Sequence, residues 1–207
     1  MHHPLQCRCG QLAGYVAHAR PRGRILCYCR DCQAFAHFLG DPQTILDKNA
    51  GSDVIPASVA DVHFTKGLKY LACMRLSPTG LYRWYASCCR TPIGSTPANP
   101  RIAYIGLLHS CLRSGASLDE TFGPVRVWAF THNAHGPMKK RLLAMATSVP
   151  RIIGVIASES LRRQHRFSPF LQPDYKTPIV TPRVLTLAER TELIARVEKS
   201  RRVNASH

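Results

Sequence analysis

The sequence has few acidic residues and no long apolar run. Only 12 of its 207 residues are Asp or Glu, against 28 Lys and Arg, which leaves a formal net charge of +16. The richest apolar stretches, 102–108 and 152–157, are too short to span a bilayer. The first residues, Met1-His2-His3-Pro4, lack the charged and apolar regions of a secretory signal. We therefore expect a protein of the reducing cytoplasm, without a membrane partner.

Internal repeats and low-complexity tracts are also absent. Hydrophobic residues make up 45% of the chain, which is enough for a packed core and excludes disorder throughout. Residues 1–134 carry all nine cysteines and predict a mainly β domain of short strands. Residues 135–207 predict a basic helical C-terminal extension, because from residue 136 onward 14 Lys and Arg stand against 5 Asp and Glu.

Caps and breakers predict the helices. One helix of the β domain is expected to begin at Arg30-Asp31-Cys32, with Asp31 as its N-cap, and to stop at Gly40. In the extension, Pro150 separates two candidates, and a capping box at 186–189 opens a last helix. The strand candidates are Leu12–His18, Val62–Phe64, Leu68–Leu76, Tyr82–Ser87, Arg101–His109 and Val125–Phe130, and the later helix candidates are Met138–Ser148, Arg151–Arg166 and Leu187–Arg202.

Seven of the nine cysteines fall into three tight groups. Thiolates one or two residues apart converge easily on one zinc ion, whereas so short a loop rarely permits a disulfide. Without an export signal, metal binding is favoured over a disulfide framework. We therefore predict one or two Zn²⁺ per chain, with the candidate ligands Cys7, Cys9, Cys27, Cys29, Cys32, Cys88 and Cys89. The other two cysteines, Cys73 and Cys111, are predicted to be buried core residues.

The central group, Cys27-x-Cys29-x-x-Cys32, predicts a zinc ion held by three thiolates with its fourth position open. Three protein ligands and one exchangeable ligand are typical of catalytic zinc, so these three cysteines are our candidate catalytic residues. A substrate thiol is a suitable fourth ligand. A structural zinc and a redox disulfide between Cys29 and Cys32 remain alternatives, whereas an iron–sulfur cluster normally needs a fourth cysteine.

The three motifs in this order, with Thr91-Pro92 after the last, resemble the glutathione-dependent formaldehyde-activating enzyme (GFA) family, which includes centromere protein V. The resemblance covers about residues 5–130. It implies a small β-tent fold, a structural zinc on Cys7, Cys9 and Cys89, and a catalytic zinc on the central group. It also implies carbon–sulfur lyase-like activity, with glutathione and formaldehyde as candidate substrates.

The late motif departs from the family pattern. Ala86 stands where the family has the first cysteine of a pair, and Arg90 stands where it has glycine. Cys88 is the nearest replacement ligand, but neighbouring strand residues point to opposite faces, so it reaches the metal only if the turn is remodelled. Water, a histidine or loss of this metal are the alternatives.

Two functions follow from these patterns. The first is a zinc-dependent, carbon–sulfur lyase-like enzyme acting on a thiol or a thiol–aldehyde adduct. The alternative is a non-catalytic, metal-stabilised module whose basic tail binds a polyanion such as nucleic acid. Arg30 and Arg90, beside metal ligands, are expected either to pair with a substrate carboxylate or to balance the negative zinc–thiolate charge. His132 is the first histidine to test as a ligand or acid/base.

Overall fold

The computed structural model describes residues 2–112, 117–138 and 142–205. The described residues form two β-sheets, with two long helices towards the C-terminus, so the predicted mainly β class is confirmed. The described residues form eleven strands: β1 His3–Gln6, β2 Ala13–Val16, β3 Arg24–Cys27, β4 Ser52–Ala57, β5 Val62–Lys66, β6 Leu71–Arg75, β7 Tyr82–Ala86, β8 Thr91–Thr96, β9 Ile105–Leu108, β10 Val125–Ala129 and β11 Arg183–Val184.

The strands form two sheets. A small antiparallel sheet has the order β1-β2-β5, and a large sheet has the order β10-β3-β4-β9-β8-β7-β6-β11. Neighbours in the large sheet are antiparallel except β10 with β3 and β11 with β6, which are parallel. The α-helices of the described residues are α1 Arg30–Leu39, α2 Pro42–Ile45, α3 Leu118–Phe122, α4 Leu142–Leu161 and α5 Leu187–Ala205. None of these helices is long and apolar enough to cross a bilayer.

All six predicted strands are present; five have shorter bounds, whereas β5 extends two residues beyond the predicted Phe64 to Lys66. A hairpin turn at 77–80 joins β6 to β7, and the Gly80 amide donates to the Ser77 carbonyl at 3.1 Å. The sequence did not predict β8, because Pro92 and Gly94 argue against a strand. The sequence also did not predict the short edge strands β1 and β11, or the inner strands β3 and β4.

Two hydrophobic clusters hold the fold together. The larger one packs residues of both sheets around Trp84, and it contains Cys73 and Cys111, which confirms that both are core cysteines. The second packs α1 against α5, where Phe35 and Val197 belong to one buried cluster. The C-terminal helix α5 therefore packs beside α1, the helix that carries Cys32. The domain boundary near residue 134 stays a prediction.

Two helix predictions need correction. The N-cap of α1 is Cys29, not Asp31: its Sγ accepts the Cys32 amide at 3.3 Å, and its backbone is extended. Cysteine is not among the preferred N-cap residues, whereas aspartate is, so residue preference favours Asp31. Helix α4 also continues through Pro150. Because Pro150 has no N–H, the Ala146 carbonyl receives no hydrogen bond within the helix. Both residues are exposed, so water can donate to that carbonyl instead. Residues 139–141 of the predicted first helix lie outside the described residues.

Candidate metal centres

Cys7, Cys9, Cys88 and Cys89 form a group in which all four sulfurs lie within 4.8 Å of one another. The Sγ–Sγ distances are 3.6 Å for Cys7–Cys9, 3.8 Å for Cys7–Cys88, 3.3 Å for Cys9–Cys88 and 3.9 Å for Cys88–Cys89. Zinc–sulfur bonds of about 2.3 Å place tetrahedral sulfurs about 3.8 Å apart, whereas a disulfide needs about 2 Å. The cysteines are free, and the spacing fits a closed four-thiolate metal site.

The turn between β7 and β8 explains how Cys88 joins this group. Ala86 is the last residue of β7 and lies buried in the main cluster, so the strand ends before the cysteines. Residues 87–90 form the turn, in which Arg90 takes a left-handed φ of 55°, where the family pattern has glycine. Both Cys88 and Cys89 thus reach Cys7 and Cys9 from a turn, and the alternation of strand faces does not apply to them.

Neighbouring groups stabilise negative charge on Cys7 and Cys89, whereas burial and the adjacent thiols raise the pKa of Cys88. The Leu12 amide donates to Cys7 Sγ at 3.3 Å, and Cys89 Sγ lies 3.1 Å from Thr91 Oγ1. Burial opposes ionisation of Cys89, but the Thr91 side chain and the backbone amides of Cys9 and Thr91 lower its pKa to about 6. The donor pattern therefore suits thiolate ligands.

Cys27, Cys29 and Cys32 form the second group, again with all sulfurs within 4.8 Å of one another. Cys27 ends β3, Cys29 caps α1, and Cys32 lies in the first turn of α1. Cys27 and Cys32 Sγ are 3.7 Å apart. Hydrogen bonds from Cys27 and Cys29, with the Arg83 charge, lower the pKa of Cys32. Among the described residues no fourth metal-binding side chain joins this group, so its geometry fits the predicted three-thiolate site.

Arg83 is a site residue that the sequence reasoning missed. Its side chain is only 3% exposed, and its Nη1 donates to Cys32 Sγ at 4.0 Å. Its Nη2 lies 3.9 Å from a carboxylate oxygen of Asp31, and its guanidinium lies over the Phe35 ring. The available signal was an arginine inside the aromatic strand Tyr82-Arg83-Trp84-Tyr85, because a charge at a buried strand position needs a partner.

A cavity of about 240 Å³ opens beside this group. Cys27 and Cys32 contribute to its wall, and Tyr104 lines it as well. Burial raises the pKa of Tyr104, and the sulfurs of Cys27 and Cys32 add to that shift, so its hydroxyl stays protonated. The remaining wall is mostly aliphatic or aromatic; its apolar residues are Ile25, Phe35, Ile45, Val54, Leu81, Pro97, Leu108 and Ala129.

Other predicted site residues lie elsewhere. Arg30 pairs with Glu198 at 3.0 Å, and Arg90 donates to the Phe38 carbonyl at 3.3 Å. His132 is exposed, and its carbonyl accepts from Arg201 at 3.3 Å. None of these predicted residues lines the 240 Å³ cavity, and within the described parts of the chain neither cysteine group includes a histidine.

A family model for a family of unknown function, DUF6151, matches residues 2–179. The chain belongs to the DUF6151 family. The matched range contains both cysteine groups, Arg83 and the whole cavity wall, whereas α5 lies beyond it. The DUF6151 match thus covers the candidate site but not the helix docked on α1.

No curated protein matches this DUF6151 chain. Among solved structures, one similar chain is a Rhodobacter sphaeroides protein, a Northeast Structural Genomics target. It is 16% identical, and the alignment covers 61% of this chain and 99% of that one with a TM-score of 0.41. A likeness of that size assigns neither a fold nor a function to this chain.

Proposed function

We propose that this chain is a zinc protein of the GFA type that binds a thiol or a thiol–aldehyde adduct at Cys27, Cys29 and Cys32, and acts on the carbon–sulfur bond as a lyase-like enzyme. One observation carries the proposal. Three sulfurs converge beside a cavity of about 240 Å³, and no fourth protein ligand joins them within the described residues. An open coordination position facing a cavity is what a catalytic zinc site needs.

The four-cysteine group supports the same proposal. Its closed set of four sulfurs suits a structural metal, which would fix the β7–β8 turn against the loop after β1. One site is then structural and the other catalytic, as the GFA resemblance implies. For the sheets we propose the β-tent architecture. Cys88 supplies the sulfur that Ala86 does not.

The reaction class is thiol addition to an aldehyde, or its reverse. In the addition direction, a carbon–sulfur bond forms, the carbonyl π bond and the S–H bond break, and the thiol proton is transferred to the carbonyl oxygen. When bound, Zn²⁺ keeps the sulfur ionised at neutral pH. Arg83 offsets the net negative charge of three thiolates with one divalent cation. The Tyr104 hydroxyl lines the cavity and is the candidate hydrogen-bond donor to the adduct oxygen.

Metal analysis of the purified chain tests this proposal. We expect two zinc ions per wild-type chain and one in Cys29→Ser, which also loses thiol binding. Cys73→Ala is the matched control, because it removes a buried thiol that belongs to neither group. A Cys29→Ser chain that keeps both metals and full thiol binding would refute the proposal.

A second candidate, binding of a phosphate-rich polyanion, is favoured by a different feature. Three arginines, Arg22, Arg126 and Arg151, line a groove of about 340 Å³ together with Thr147 and Ser148. No acidic side chain lines this groove, and within the described chain the three arginines form no salt bridge within 4.0 Å. Unpaired guanidinium groups beside hydroxyls suit phosphate.

A further inference from the structure

We propose that the thiol recognised at the three-cysteine site is small, uncharged and apolar, with an aromatic or branched hydrocarbon body, and is not glutathione. This inference rests on the proposed function and names its substrate class. Three properties of the cavity carry it: its volume, the chemistry of its wall, and the position of the one charged side chain in that wall.

The volume limits the size of the ligand. The cavity measures about 240 Å³. An apolar protein cavity of about 150 Å³ holds benzene, so by proportion this one holds roughly ten non-hydrogen atoms. Glutathione, with about twenty, is roughly twice too large on the same scale. A phenyl or branched alkyl group with one thiol fits the space.

The wall limits the polarity of the ligand. Eight of its residues are aliphatic, aromatic or proline, and Gly106 adds backbone. Its uncharged polar side chains are the hydroxyls of Ser52, Ser95 and Tyr104. Glutathione carries two carboxylates and an ammonium at neutral pH, and no carboxylate side chain lines the cavity to receive the ammonium. Burying unpaired charges is far more costly than burying hydrocarbon, so the wall selects against the tripeptide.

The single cation of the wall is already engaged. Arg83 directs Nη1 at Cys32 Sγ and Nη2 towards Asp31, and its plane lies over Phe35. A ligand carboxylate would compete with both partners of that guanidinium. The rim is apolar as well, because Leu81 is 44% exposed at the β6–β7 end while it also lines the cavity. The thiol therefore enters past hydrocarbon and meets charge only at Arg83 and the cysteine sulfurs.

Calorimetric titration of the full zinc-loaded chain tests this inference, with metal content checked first. The probes are benzyl mercaptan, glutathione and benzyl alcohol, which has the same body without the sulfur. We expect benzyl mercaptan to bind at least tenfold more tightly than either of the others. Ala129→Phe, which fills the cavity, and Leu81→Asp, which charges its exposed rim, should each weaken benzyl mercaptan binding at least tenfold. Ala157→Phe on the exposed face of α4 is the control and should leave it unchanged.

The outcomes separate the two proposals. If glutathione binds as tightly as benzyl mercaptan, or if both cavity variants bind like wild type, the apolar ligand class is wrong while a thiol-binding zinc site stands. If the three-cysteine site carries metal and neither thiol binds, or if benzyl alcohol binds as tightly as the thiol, the proposed function fails together with the inference.

Discussion

Arg83 Nη1 lies 4.0 Å from Cys32 Sγ, and the arginine that supplies it is almost fully buried. A buried guanidinium is stable only with partners, and here those partners are a sulfur of the three-cysteine group and Asp31. The contact joins β7 of the large sheet to the first turn of α1. The geometry of the three-cysteine site thus depends on a strand that contributes no ligand to it.

Replacement of Arg83 by Gln should loosen the three-cysteine metal. Loss of the charge leaves the thiolates less stabilised, so we expect metal affinity at this site to fall about tenfold or more, as for other groups that orient metal ligands. Competition with a chelator measures the metal affinity of each cysteine group. One group should release its metal more readily than in wild type, and the other should be unchanged. Arg30→Gln is the control, since Arg30 pairs with Glu198 outside the cavity. Equal metal affinity in both variants would contradict this role of Arg83.

Cys88→Ala should remove the structural metal and lower stability. The group would keep three sulfurs, and the turn at 87–90 would lose its anchor to Cys7 and Cys9. We expect the free energy of unfolding to fall by about 3 kcal/mol or more. Denaturation followed together with metal content measures both effects. The prediction fails if metal content stays at two ions per chain.

Stability should decrease as the pH falls from about 7 to 5. Burial lowers the pKa of His3, and also of His37, His135 and His165, below the ordinary 6.5. The unfolded chain therefore binds protons that the folded chain resists, so stability is lost on acidification below that value. One such histidine accounts for at most about 1.4 kcal/mol per pH unit.

His3→Gln isolates this effect from acid release of metal, because both cysteine groups are unchanged in the variant. His3 is buried against Phe122, and its Nε2 has no hydrogen-bond partner within the described residues. Urea denaturation at pH 7 and pH 5.5 should show a smaller loss of stability for His3→Gln than for wild type. Identical losses would show that His3 does not contribute.

Polyanion affinity should fall as the salt concentration rises and should depend on the arginine groove. The double variant Arg126→Gln, Arg151→Gln removes two unpaired charges from it. A labelled DNA duplex is titrated at several salt concentrations. The slope of log binding constant against log salt concentration should be smaller in magnitude by about two than that of wild type. Lys48→Gln with Lys176→Gln removes the same charge outside the groove and is the control. Equal slopes for the two double variants would rule the groove out.

Local sequence signals predicted much of the β framework. The strands found were those rich in aromatic and β-branched residues, such as β7, whereas Pro92 and Gly94 concealed β8. The cysteine spacing predicted that Cys27, Cys29 and Cys32 converge, and Gly40 ends α1 as expected, in a left-handed conformation. These features depend on residues close together in the chain.

The cavity was not predictable in the same way. Its wall draws Ile25 from β3, Val54 from β4, Leu108 from β9 and Ala129 from β10, so it exists only once distant strands are paired. Arg83 likewise meets Cys32 across 51 positions of sequence. The ligand position of Cys88 depends on where β7 ends, which strand propensity does not fix to one residue.

In the proposed function, a thiol occupies the open position of the Cys27, Cys29 and Cys32 site. The most direct measurement is the absorption spectrum of the cobalt-substituted chain before and after addition of benzyl mercaptan. We expect the thiolate-to-cobalt charge-transfer bands to grow in wild type, as three thiolate ligands become four, and to stay unchanged in Cys29→Ser. Bands that do not respond to the thiol in a wild-type chain carrying two cobalt ions would contradict it.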